Sequence, residues 1–180
     1  MNTTTSATER TPSDTTNLDI YGNPPLPWQR VLDAIDRTPN DEHQTWWLGT
    51  VRPDGRAHAA GVGGFWHEGD VYVTSSPRAR KARNLAENPS ATIAVHLDGI
   101  DVVFEGVVER VTDHATLETV ARLGREGGWP AEVEGDALTA PFSAPSAGPP
   151  PWNVYRLMFH TVFGVATDEP YGASRWRFAE

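Results

Sequence analysis

An α+β fold built on a mostly antiparallel β-barrel is what the sequence predicts, and three observations carry that expectation. Short runs rich in β-branched and aromatic residues recur between strong turn signals at Pro53-Asp54-Gly55, Glu68-Gly69-Asp70 and Asp98-Gly99. Helical spacing of apolar residues is confined to a few short segments. Strands and helices do not alternate, which argues against a parallel sheet with helices wound on both faces.

Residues 1–24 are rich in Thr, Ser and Pro and poor in apolar groups, and they read as a disordered tail ahead of one domain spanning 25–180. Trp28, Val31, Leu32 and Ile35 then recur at helical spacing, and Pro39 stops the run. Residues 44–51, 56–66 and 71–75 read as strands. A short helix over 78–87 follows, with Ser76 as its cap, Pro77 in its first turn and Asn88-Pro89 as its stop. Residues 91–97 and 101–111 are two long strands. The next helix is capped by Thr112 or Asp113 and ended by Gly127-Gly128. Residues 130–152 hold six of the fifteen prolines and read as one long loop, functional or disordered. Strands at 152–159, 161–167 and 173–178 complete the order.

Net charge is −9, and the sequence pI of about 5.1 argues against general binding to nucleic acid or an anionic membrane. Cysteine is absent, so thiolate chemistry and Cys-based metal sites are excluded. His43, His58, His67, His96, His114 and His160 show no metal-binding spacing. The N-terminus lacks the basic and apolar regions of a signal peptide, and no apolar run reaches the ~20 residues of a membrane span. A cytoplasmic location is expected.

Against that acidic background, Arg78, Arg80, Lys81 and Arg83 fall within six residues. On a helix with Leu85 pointing inward, Arg78 and Lys81 lie within roughly 20–40° of it, at about 100° per residue. Arg80 and Arg83 point away, and Arg83 with Glu87 reads as a surface i,i+4 pair. Two inward cations at a helix N-terminus need a negative partner, and phosphate is a common fit. The alternatives are that both side chains snorkel to water, or that one of the chain's 24 acids pairs with them. Gly61, Gly63 and Gly64 do not form a dinucleotide fingerprint, because Trp66 stands where the last glycine belongs. Glycines within a strand do fit close approach of a flat ligand. Trp66, Trp152 and Trp176 are candidates for the rim of a site.

The ordered set "PDG" at 53–55, Trp66 to Gly69, Lys81-Ala82-Arg83-Asn84-Leu85 and Asn88-Pro89 resembles the pyridoxamine 5'-phosphate oxidase-like family of split β-barrel flavoproteins. The likeness extends over about residues 26–180 and is greatest to its flavin/deazaflavin branch, whose members often use coenzyme F-420. The segments "APSAGPPPW" and "SRWRF" are similar to a subgroup of that branch. The motif by which true pyridoxamine phosphate oxidases hold their substrate is not recognisable.

What the resemblance implies is a homodimer with F-420, or alternatively FMN, at the subunit interface. The cofactor phosphate is then expected at Arg78, Lys81, Arg83 and Asn84, with hydroxyls from Thr74, Ser75 and Ser76. The ring is expected along His58, Ala60, Gly61 and Val62. Trp152, Arg175 and Trp176 are expected to reach it from the partner subunit. The implied function is hydride transfer between the cofactor and a small organic substrate, with no protein acid or base assigned and residues 130–152 as a lid. A non-catalytic flavin- or haem-binding or sensing protein is the alternative, with His58 as the candidate haem ligand.

Overall fold

The computed structural model describes residues 10–38, 44–143 and 147–179. Its elements are β1 (Asp14–Asn17), α1 (Gln29–Arg37), β2 (Trp46–Val51), β3 (Ala57–Val62), β4 (Gly64–His67) and β5 (Asp70–Ser75). They continue with α2 (Arg80–Glu87), β6 (Ser90–Leu97), β7 (Ile100–Val111) and α3 (His114–Glu126). The chain closes with β8 (Glu132–Glu134), β9 (Ala137–Thr139), β10 (Asn153–Ala166) and β11 (Ala173–Arg177). This is the expected α+β fold, and every strand pairing is antiparallel. Among the described residues no helix is long and apolar enough to cross a membrane.

The main sheet runs β1-β11-β10-β7-β6-β2-β3, with β5 on β10 and β4 on β5. β10 is the strand that curls it. Its first half, Asn153–Leu157, pairs with β5, and its second half, Thr161–Val165, pairs with β11. Between them the register with β7 shifts across Phe159 and Thr161, a bulge that bends the strand. β3 and β5 then meet through one backbone bond, Thr74 N donating to Gly63 O at 3.1 Å. The ring of strands is therefore pinched there, without a continuous ladder.

Period-2 alternation fills the interior. Leu48, Ile93, Phe104 and Phe159 are fully or almost fully buried. α1 lays Val31 and Ala34 against this core, as its spacing predicts. A second core forms under α3, where Leu117, Val120 and Ala121 pack on Phe65, Tyr72, Val154 and Leu138. Asp113 caps α3, its side chain accepting from Thr116 N at 2.9 Å.

Five expectations are corrected. The tail is ordered from residue 10: β1 adds to the edge of β11 through backbone bonds, so its polar composition does not prevent pairing. Residues 1–9 lie outside the described residues, as does Pro39. The strand over 56–66 breaks at Gly63 into β3 and β4. α2 begins at Arg80 and not at Arg78, because Ser76 and Pro77 turn the chain out of β5. Residues 130–152 are not one loop; β8 and β9 form a hairpin, and Leu138 bridges to Trp152. The two strands expected within 152–167 are one bulged strand, Asn153–Ala166.

Candidate functional site

α2 packs against β2 and β3 near the pinch in the barrel. Ala79 stands at its N-cap position, has no side-chain acceptor, and is followed by no acidic residue in the first turn. The contrast with α3 is direct: there the protein supplies its own carboxylate, and here it supplies Arg80 and Lys81. Cations at that end add to the partial positive charge of the helix N-terminus. An anion at this end would be favoured.

Lys81 is only 7% exposed, and no hydrogen bond or salt bridge reaches it among the described residues. Burial alone pulls its ammonium pKa down. Beside it, Asn84 is buried and donates to Thr50 Oγ1 at 2.9 Å, which ties the helix to β2. Thr50 pairs in register with His58 and bonds weakly to its carbonyl at 3.4 Å.

His58 therefore stands on the face of β3 that Thr50 marks as inward, with Nδ1 buried and unpartnered among the described residues. Its pKa is lowered, first by burial and then by the charges of Arg52, Arg80 and Lys81. Arg52 also carries a buried Nε without an acceptor among the described residues. The nearest carboxylate in sequence, Asp54, is taken by Arg56, whose Nε and Nη2 donate to it at 2.9 and 2.6 Å. Arg52 at the end of β2, and the exposed Arg80 and largely buried Lys81 at the start of α2, thus act together on a neutral imidazole on β3.

The expected residues divide as follows. Lys81, Asn84 and His58 come together. Arg78 lies in the turn before α2 and is exposed, so it does not share the inward face expected for it. Arg83 is exposed, and no ion pair to Glu87 forms among the described residues. Thr74, Ser75 and Ser76 lead directly into the helix start, but the Ser75 hydroxyl is already spent on Ser76 O at 3.2 Å. Ser76 Oγ accepts from Arg78 N at 3.4 Å and is covered by Gly148. Ala60 and Val62 share the His58 face, whereas Gly61 points to the other side beside Trp47.

Two expected rim groups are corrected. Trp176 is fully buried, edge-on to Trp28 at 5.5 Å, with Nε1 donating to Leu26 O at 3.2 Å. Trp152 is 2% exposed and packs edge-on to Trp129 at 5.6 Å, next to the Ser75 end of β5. Both side chains are buried within this chain. Arg175 is half-buried, donates to Thr16 Oγ1 at 3.0 Å and keeps a buried, unpartnered Nε among the described residues. It lies opposite Phe163, ten residues along β10 from the Asn153–Ser75 pair, or about 33 Å of strand. Arg52 was missed. Alternation along β2 carried the signal, since Trp46, Leu48, Thr50 and Arg52 fall on one face.

The chain matches the family described as Pyridoxamine 5'-phosphate oxidase over residues 33–166. No curated protein matches it significantly in sequence. Among solved structures it is similar to a pyridoxamine 5'-phosphate oxidase-related, FMN binding protein from Nostoc punctiforme, at 19% identity and TM-score 0.53, covering 84% of this chain and 89% of that one. A heme binding protein from Mycobacterium smegmatis gives 18% identity and TM-score 0.53, over 78% of this chain and 56% of that one. PhzG from Burkholderia lata, in complex with tetrahydrophenazine-1-carboxylic acid, gives 15% and 0.51, over 84% and 90%. These likenesses are in fold.

Proposed function

The chain belongs to the pyridoxamine 5'-phosphate oxidase family, and from that premise we propose that it is a flavin- or deazaflavin-dependent oxidoreductase whose cofactor phosphate sits between β3 and the start of α2. The observation that carries this reading is Lys81, buried and without a counter-charge among the described residues at an uncapped helix end. The side chain is largely buried, desolvation disfavours its charged form, and an anionic partner would offset that cost. A phosphate there would meet Lys81 and Arg52 at once, and the orphaned nitrogens of Arg52 and His58 fit such a group.

Hydride chemistry is supplied by the cofactor when bound; the protein binds, orients and excludes water. Lys81 acts as a point charge on phosphate, and Asn84, tied to Thr50, fixes the helix that presents it. F-420 is favoured over FMN, because Arg78, Arg80 and Arg83 leave a row of exposed cations beyond the phosphate position. None of them makes a salt bridge among the described residues, and an acidic cofactor tail suits that row. The substrate is a small organic molecule taken at the ring. A homodimer, with Arg175 contributed by the partner, completes the proposal.

The test is titration of cofactor-free protein with F-420 and with FMN, beside Lys81→Met. Loss of one charge-assisted contact should weaken binding about ten- to a hundred-fold. No binding of either cofactor, or unchanged binding by the variant, would overturn the reading. Tight haemin binding in place of both would move the protein to the haem-binding alternative.

A further inference from the structure

We propose that anion binding at this site is coupled to protonation of His58, so that the pocket takes up a proton as the phosphate enters. The inference rests on the phosphate-site reading and adds a pH dependence to it. It stands on placement. His58 pairs across the ladder with Thr50, which accepts from Asn84 of α2 at 2.9 Å, so His58 lies between the end of β2 and the start of α2. Arg52, Arg80 and Lys81 act on its ring, with no carboxylate among them. Its Nδ1 is buried and has no hydrogen-bond partner among the described residues.

In the free pocket, burial and three like charges hold the imidazole neutral, with its pKa below the ordinary 6.5. A neutral imidazole offers one donor and one acceptor, and an acceptor has no use facing phosphate oxygens. The cation offers two donors. A phosphate carries about −1.5 to −2 charges as a monoester near pH 7 and reverses the local field, which favours the imidazolium. The bound state then holds more protons than the free state. By linkage, affinity rises as pH falls between the free and bound pKa values, by up to about tenfold per pH unit, and is flat outside that window.

The experiment measures FMN binding between pH 6.5 and 9 for the full chain and for His58→Gln, with F-420 in parallel. Calorimetry in phosphate-free buffers of differing ionisation enthalpy counts the protons. The expected result is about half a proton or more taken up per cofactor at pH 7, with affinity falling towards pH 9. His58→Gln should bind more weakly, with no uptake and a flat profile over the range where the FMN phosphate is already a dianion. Tight binding that is sensitive to Lys81→Met, yet without proton uptake or with the same profile in His58→Gln, would overturn this inference and leave the phosphate site standing. Failure of both cofactors to bind would overturn both.

Discussion

Replacing the Lys81 ammonium by the thioether of Met removes a charge from a largely buried side chain that has no salt bridge among the described residues. Apolar replacement of a buried ion is often neutral or stabilising, so the cofactor-free Lys81→Met protein should gain about 1 kcal/mol in chemical unfolding. The sign follows from the pKa. The folded value is lowered, so the cost is full at neutral pH and disappears as pH rises towards the unfolded value near 10.4. The gain from the substitution should therefore shrink at high pH, while cofactor binding is weakened at neutral pH. A lysine kept for stability would show the reverse. Trp176 gives the opposite test at the same scale. It is fully buried, and Trp176→Ala should cost about 3–5 kcal/mol, read as a fall in the denaturation midpoint. Its place was readable, because Ser174, Trp176 and Phe178 alternate inward; the flanking Arg175 and Arg177 drew attention to an exposed end instead.

At the scale of elements, the cap on α3 and the bulge in β10 each rest on one residue. The Asp113 carboxyl is held below its ordinary 3.8, first by the hydrogen bond from the Thr116 amide. A lowered folded pKa gives stability that is present above the unfolded value and lost as pH falls through the folded one. Asp113→Asn keeps a capping oxygen, so it should change the melting temperature little at pH 7 but flatten its decline below about pH 4. Gly106 lies opposite Phe159, where β10 shifts register. A Cβ there would sit 2.6 Å from Phe159 Cα and press on Met158 O, both backbone atoms that cannot swing away. Gly106→Ala should therefore destabilise by about 1–3 kcal/mol, with a lower unfolding midpoint. Long elements with apolar periodicity were legible from sequence: α1, α3, β6 and β7 lie within a residue or two of their expected spans. β1, β8 and β9 were not. They are three or four residues long and held by backbone bonds, and β1 and β8 are mostly exposed, so composition and periodicity do not register them.

For the whole molecule, the candidate site depends on contacts that sequence order conceals. Lys81 was legible as an inward cation because one helix presents it. The pairing of that helix with Arg52 and His58 follows only from β2 and β3 curling under α2, and from the turn in which Arg56 claims Asp54. The same curl leaves an apolar outer surface. Trp47 is 53% exposed, opposite Gly61 on β3 and Ala94 on β6, and Ala94 lies opposite Val103 on β7. A tryptophan flanked by such small and apolar neighbours is suited to burial against another surface. In the proposed homodimer that surface is a second copy, and the particle mass should be twice 19.7 kDa by sedimentation. Trp47→Glu would place a charge in the contact and should shift the population towards the single chain. If the cofactor sits at the interface, its affinity should fall in step with the dimer fraction across protein concentration. A wild-type mass of one chain that still binds cofactor tightly would show that Arg52, His58, Arg80 and Lys81 form a self-sufficient site, and the dimer would have no part in holding the cofactor.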